Sequence, residues 1–486
     1  MKAGFKMLLD KYENMPAPAK ASLWFTICNI IQKGIALIST PIFTRILTTQ
    51  QYGVYTVYQS WYQILAIFAT LNLSAGVFNN GLTKYPEKKN ELVASLQGLS
   101  TTVTALLFVI YIFQPDFWNE KLGLSTLFVL VMFAQLLLEP AYLFWAAEQR
   151  YRYQYKALIV TTMIIALGSP FLGIISVMAT NYKAEARVLS FVFVQVILGL
   201  IFYIRSFIVG KKFYDNFFWK YALKFNIPLM PHYLSMTLLN QSDRIMIDKM
   251  CGASEAAIYG IAYTLAMMMT IITGAINSSF IPYTYQNIKA KRYSDISKNA
   301  NFLLLLVAMG CIGAMAFGPE LISIFATEEY YAAIWIMPPV AASVFFMFLY
   351  PLFANVEFYF EKTKIIMVAS CSGALLNIAL NYICIRLYGY IAAGYTTLFC
   401  YIVFSFAHYF AYRRIVSREK DMEPTYNMRF VLALSVGMLI IMVLMLVSYI
   451  NKIIRYTVIT VIVIVVIKKR RYVFSKLAEI RNRSER

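Results

Sequence analysis

Along this chain long apolar runs alternate with short polar breaks, and the few polar residues inside the runs recur at helical spacing. The run 21–47 shows the rule. As a helix rising ~1.5 Å per residue it measures about 40 Å, enough to cross a ~30 Å hydrocarbon core. Thr26, Asn29, Lys33, Ala36 and Thr40 fall on one face of that helix. A lysine near the bilayer centre costs about 2.5–3.5 kcal/mol, so this face is expected to look into a bundle interior or a water-filled cavity; the simpler alternative is a lysine that snorkels to an interface. The same pattern predicts fourteen spans, at 21–47, 54–83, 92–114, 124–148, 155–180, 187–209, 221–248, 256–285, 299–318, 332–360, 364–385, 390–412, 429–449 and 453–467. The expected fold class is therefore all-α integral membrane.

Composition agrees with the pattern. The 486 residues are 60% hydrophobic and 14% charged, with a mean hydropathy of +0.62, too apolar for a chain that hides its surface from water by folding alone. The net charge of +20 would suggest nucleic acid in a soluble protein. Here most of the 44 Lys and Arg residues fall in alternate connecting segments, which explains the charge by topology and places both termini in the cytoplasm. No nucleic-acid partner is expected. The six cysteines lie singly and no histidine cluster accompanies them, so no metal or redox site is expected. Residues 1–20 read as a cytoplasmic lead-in rather than a cleaved signal, and 468–486 as a basic cytoplasmic tail.

The chain also repeats itself. Tyr52-Gly53 returns as Tyr259-Gly260, Asn80 as Asn287 and Lys84 as Lys291, and Pro140 is echoed by Pro351 at a slightly longer offset. Spans 1–6 thus align with spans 7–12, giving two six-helix lobes, 21–210 and 218–413, in parallel pseudo-twofold repeat. Two extra C-terminal helices, 428–467, follow a polar linker.

Neither a phosphate-binding loop, a zinc-protease motif nor a nucleophile elbow occurs, and no outer loop is long enough for a soluble catalytic domain. What remains are ionisable and amide groups within spans. Under the repeat, Lys33 falls opposite Asn240 and Ala36 opposite Asp243, and His232, Met236, Asn240 and Asp243 form a second polar stripe. Asn29, Lys33, Arg45, Asn240 and Arg244 are the candidate substrate contacts. Glu139, Asp243 and Asp248 are the candidate ion-coupling groups, because a carboxylate within a span can exchange a proton or hold sodium. Two plainer readings stand beside them: interfacial charges pairing locally at Asp243-Arg244 and Asp248-Lys249, and a neutral or paired carboxylate at the Pro140 kink for Glu139. His408 and Asn277 read as packing residues.

Three stretches carry a family resemblance: Thr44-Arg45-Ile-Leu with Tyr52-Gly53-Val-Tyr55; Asn240-Gln-Ser-Asp243-Arg244-Ile-Met-Ile with Gly252 and Tyr259-Gly260; and Asn377-Ile-Ala-Leu-Asn381 running through Arg386 and Gly389 to Ala393-Gly394-Tyr-Thr-Thr397. They resemble the polysaccharide flippases (O-antigen, capsule and exopolysaccharide) of the multidrug/oligosaccharidyl-lipid/polysaccharide (MOP) exporter superfamily, which often have proline where Arg386 stands. The resemblance covers residues 20–470. It implies a non-enzymatic, secondary-active transporter of the bacterial inner membrane that moves undecaprenyl-pyrophosphate-linked oligosaccharide units outward by alternating access for surface polysaccharide biosynthesis. It implies no cofactor, a driving H+ or Na+ gradient, and a polysaccharide polymerase and chain-length machinery as partners. Two alternatives stay open: a drug or metabolite cation antiporter of the same superfamily, for which a carboxylate in span 1 is expected and none is found, and an integral-membrane polysaccharide polymerase or glycosyltransferase.

Overall fold

The computed structural model describes residues 15–74, 76–419, 422–461, 464 and 467, so most of the lead-in and the basic tail 468–486 lie outside the described residues. Among the described residues the structure is helical with no strand. Among the described residues ten helical segments are long and apolar enough to span a membrane. By contacts the chain divides into two compact units, residues 1–257 and 258–486.

The first unit contains α1 (Ala17–Ile46), α2 (Thr49–Thr70), α3 (Val77–Lys84), α4 (Lys89–Phe113), α5 (Pro115–Leu122) and α6 (Thr126–Tyr151), followed by α7 (Tyr155–Ala179), α8 (Lys183–Gly210), α9 (Asn216–Asn226) and α10 (Met230–Met250). α8 is its hub, packing on α6, α7 and α4, while α1 packs on α7 and α10 on α2. α10, which the sequence repeat assigns to the second half, thus packs within the first unit.

These contacts rely on glycine. A Cβ on Gly199 of α8 would come within 2.6 Å of the Leu138 carbonyl oxygen, and one on Gly53 of α2 within 1.9 Å of that of Ala253. Without hydrophobic force between helices in lipid, such close backbone approach is what lets van der Waals contact hold them together. The Tyr52-Gly53 motif is therefore a packing site. Beside it Thr49 Oγ1 donates to Ser254 Oγ at 3.2 Å.

The run 54–83, expected as one span, is broken into α2 and α3. Leu71 and Asn72 both adopt left-handed backbone, at φ 49° each, which α-helix cannot accommodate. Burial of Leu71 and Leu73 and a 2.8 Å hydrogen bond from Asn226 Nδ2 to the Leu71 carbonyl hold the break in place. Sequence periodicity cannot reveal it, because the residue that fixes it lies in α9. At the end of α8 that bears the 211–215 loop, Lys212 bridges Glu91 at 2.7 Å and Asp215 at 3.0 Å. Burial alone would raise the Asp215 carboxyl, but Lys212 and the Phe217 and Phe218 N–H groups outweigh it and hold it below its ordinary value.

The second unit contains most of α11 (Ala253–Met267), then α12 (Met269–Lys289), α13 (Tyr293–Ala316), α14 (Gly318–Phe325), α15 (Met337–Tyr359), α16 (Thr363–Tyr388), α17 (Ala392–Arg418) and α18 (Met428–Ser448). α15 is the hub here, with α17, α13, α12, α18 and α16 around it. The fourteenth expected span falls partly outside the described residues, which are helical over 452–461. Arg455 there pairs with Glu320, to which the Tyr456 hydroxyl also donates at 2.6 Å, tying the C-terminal segment to α14.

The glycine contacts are directly testable. Gly53→Ala forces helix backbones apart and should lower the stability of the purified protein by about 1–3 kcal/mol. Gly34→Ala, where a Cβ meets nothing within 4 Å, should be neutral or stabilising by up to about 1 kcal/mol. Equal melting temperatures for the two variants would contradict this packing.

Candidate functional site

The polar residues of the first unit converge on α6. This helix continues through Pro140, which has no N–H to give to the Leu136 carbonyl and loosens the ladder at that turn. Gln97 Nε2 reaches the adjacent Leu137 carbonyl at 3.5 Å. The residue just before the proline is Glu139, half-buried, whose Oε2 accepts from the Tyr62 hydroxyl and, at 2.9 Å, from Gln135 Nε2. Gln135 is fully buried, accepts from Tyr58 OH at 2.9 Å and donates to Gln195 Oε1 at 2.5 Å. One turn-to-turn network thus joins α2, α6 and α8 through amide, phenol and carboxylate groups, each of which would be costly to leave unmatched in an apolar interior.

A pocket of about 230 Å³ opens onto this network. Its walls come from α1 (Phe25, Cys28, Asn29, Gln32), α6 (Glu139, Tyr142, Leu143, Arg150), α7 (Leu158, Thr162, Ile165) and α8 (Gln195). Tyr142 OH and Thr162 Oγ1, 3.1 Å apart, close one side. At ~30 Å³ per water the space corresponds to about eight waters.

The structure brings Asn29 and Glu139 together in this pocket and leaves the other candidate residues outside it. Lys33 and Arg45 are exposed, and the Arg45 guanidinium folds back onto the Pro41 carbonyl at 2.7 Å. Asn240 and Arg244 form a separate cluster on α10: Arg244 donates to the Asn240 carbonyl at 2.7 Å and to Gln241 Oε1 at 3.1 Å, and Gln241 also meets Ser60 at 3.2 Å and Gln63 at 2.8 Å on α2. Asp243 is fully buried in α10. Asp248 is half-buried near Gly123, and next to it Lys249 holds the Glu120 carbonyl at 3.1 Å. Gln32, Gln135 and Gln195 were not singled out in the sequence. Gln32 lies three residues from Asn29 on the polar face of α1 and was within reach of the same helical spacing. The other two sit in apolar runs with no local sign of a partner.

In the second unit, Asn381 Nδ2 donates to Asn377 Oδ1 at 3.2 Å and Asn381 Oδ1 accepts from Thr396, so the third resemblance stretch forms a buried network of its own. Asn277 of α12, read as packing, accepts from Asn355 of α15 at 3.1 Å. His408, also read as packing, is buried as expected but makes a 2.8 Å hydrogen bond to Glu357, a carboxylate the sequence pattern had not marked.

Comparison with known proteins gives this helical fold its class. The family model described as polysaccharide biosynthesis protein matches residues 19–288, more than half of the chain, and the MatE model matches residues 228–383. The chain belongs to the polysaccharide biosynthesis protein family. Among curated relatives, "Lsg locus putative protein 1" of Haemophilus influenzae is 23% identical over 375 residues, covering 74% of this chain and 89% of its own length. Among solved structures, the lipid II flippase MurJ in an inward closed conformation superposes with a TM-score of 0.71 at 14% identity, over 93% of this chain and 100% of that one. An inward-facing multidrug resistance MATE transporter of the MOP superfamily superposes with 0.60 at 12% identity, over 83% and 100%. At these identities the structures share the fold. The protein is a multi-pass membrane protein.

The network predicts its own sensitivity. Gln135→Leu keeps the side-chain volume but removes the amide that joins Tyr58, Glu139 and Gln195, and should lower stability by about 1–3 kcal/mol. An unchanged melting temperature would contradict the network as described.

Proposed function

We propose that this protein is a secondary-active flippase carrying undecaprenyl-pyrophosphate-linked oligosaccharide units from the cytoplasmic to the outer face of the bacterial inner membrane, by alternating access, for surface polysaccharide biosynthesis. The observation that carries the reading is a carboxylate-bearing polar pocket, with Glu139, Asn29, Gln32 and Gln195, inside a membrane bundle of the polysaccharide biosynthesis family. Both termini face the cytoplasm in this reading, as the basic loops require. A polyprenol-linked substrate leaves its tail in lipid, so the protein need shelter only the hydrated, anionic head.

The residues divide the work by position. Glu139, a carboxylate within a span bordering the pocket, serves ion coupling, taking up and releasing H+ or Na+ as access alternates, with Asn29 and Gln195 as neutral partners. Lys33, exposed and outside the pocket, supplies the cation for the substrate pyrophosphate. Arg45, Asn240 and Arg244 are further candidate contacts to the head, and Asp243 and Asp248 further candidate coupling groups. The flippase would hand its product to a polysaccharide polymerase and chain-length machinery. One observation also favours a cation antiporter: α1 carries no carboxylate, yet Glu139 of α6 faces the α1 residues across the pocket.

Complementation of a flippase-deleted strain tests these assignments, with surface polysaccharide normalised to protein in the membrane. Glu139→Gln should reduce gradient-dependent export about 5- to 150-fold, the usual span of a coupling free energy, without reducing insertion. Lys33→Ala should weaken head binding roughly 10- to 150-fold, as loss of a charge-assisted contact does, and Lys33→Arg should retain it. Full export from Glu139→Gln would remove it from coupling. Restored drug resistance without restored polysaccharide would favour the antiporter.

A further inference from the structure

Two ionisable groups of the second unit are paired in its interior. Glu357 lies on α15, the hub helix, and is fully buried, as is His408 on α17; Nδ1 of the imidazole stands 2.8 Å from Glu357 Oε1. The other polar atom of each, Glu357 Oε2 and His408 Nε2, is buried and hydrogen-bonded to no described residue. Tyr350 and Phe404 pack their rings on the imidazole, with centroids 5.4 and 4.6 Å away. Tyr350 is the titratable neighbour in ring contact.

Among the described residues, the charged side chains of the surrounding elements are exposed or half-buried. Lys289 of α12, Lys298 of α13, Arg386 of α16, Arg413, Arg414 and Arg418 of α17 and Arg429 of α18 are all exposed, as are Glu328 and Glu329 before α15 and Glu361 and Lys362 after it. Asp295 of α13 is half-buried. Among the described residues no salt bridge joins Glu357 or His408 to any other group.

Packing alone does not call for this pair. Within the first unit, α6 and α8 meet as α15 and α17 do in the second. The offset that aligns Pro140 with Pro351 places Ala146, also fully buried, where Glu357 stands. The first unit therefore makes the equivalent helix contact with a methyl group. A pair kept only as a staple would leave two buried polar atoms unmatched, an unfavourable arrangement for a contact that serves packing alone.

We infer that Glu357 and His408 form a proton-binding site that couples conformational change in the second unit to the proton gradient, deepening the flippase reading on which it rests. With one shared proton the pair has no net charge in either tautomer, a carboxylate beside an imidazolium or a carboxylic acid beside an imidazole. Releasing that proton to water leaves a carboxylate beside a neutral imidazole, a net negative charge that a dry interior does not tolerate and a hydrated one does. The closed unit therefore holds the proton, and opening toward water on one side lets it go. The donor set selects a proton over sodium, because an imidazole nitrogen replaces the oxygen a hard cation would need.

The test has two arms, both on the full chain. Infrared titration of the purified protein in lipid nanodiscs, across the pH range in which it stays folded, should show a buried carboxyl band that titrates with pH. The band should be absent from Glu357→Gln and displaced in midpoint in His408→Gln. In complemented cells, Glu357→Gln and His408→Gln should each export about 5- to 150-fold less polysaccharide and lose the pH dependence shown by wild type. A Glu357 band that does not change with pH, or a Glu357→Gln variant with the wild-type pH profile of export, would overturn the assignment. His408→Gln provides the second reading if Glu357→Gln is poorly inserted. Should the wild-type gene restore no polysaccharide at any pH, the flippase reading fails, and the infrared arm still decides whether the pair binds a proton.

Discussion

A polar side chain inside a membrane bundle has no bulk water to fall back on, so each must find another protein group. The interior of this protein is arranged around that constraint. In the first unit Gln135 satisfies a phenol, a carboxylate and a second amide at once, and so ties α2, α6 and α8 to one another. Gln241 does the same between α2 and α10. Glycines such as Gly53 and Gly199 bring the backbones close enough for these short side chains to meet. The polar groups and the small residues depend on each other.

Where the constraint is met in full, the result is structure; where it is met only in part, a group is left able to change state. Glu139 is held by Tyr62 and Gln135 on one side and borders a pocket on the other. Glu357 and His408 satisfy each other with one atom apiece and leave one over. Under the proposed flippase reading, these incompletely matched groups are the candidates for ion coupling. The two units are alike in helix packing and unlike here: the first places its carboxylate at Glu139 beside Pro140, the second has Tyr350 beside Pro351 and its carboxylate two turns further along.

Much of this was legible in the sequence, for physical reasons. Apolar runs of membrane-spanning length have one stable solution in lipid, so helix positions and the all-helical class followed from the pattern. Asn29 and Glu139 stood out as polar residues deep in such runs, and they share a pocket. The break at Leu71-Asn72 did not show, since it is fixed by Asn226, 155 residues away. Glu357 escaped notice because it lies close to the charged Glu361 and Lys362 at a span end, where a carboxylate reads as a loop charge. Only the packing of α17, 51 residues on, buries it against His408. Lys33, expected to face a bundle interior or a water-filled cavity, is exposed and does not line the Glu139 pocket; its depth in the sequence does not identify its neighbours.

The most direct test of the central claim is translocation itself. Purified full-length protein is reconstituted into vesicles with a fluorescent undecaprenyl-pyrophosphate-linked oligosaccharide, and the label reachable by a membrane-impermeant quencher is followed after an ion gradient is imposed. Movement of the lipid-linked glycan between leaflets, faster than in protein-free vesicles and dependent on the gradient, is the expected result. Label that stays in its original leaflet at the protein-free rate, in vesicles where the protein is shown to be folded and inserted, would contradict it.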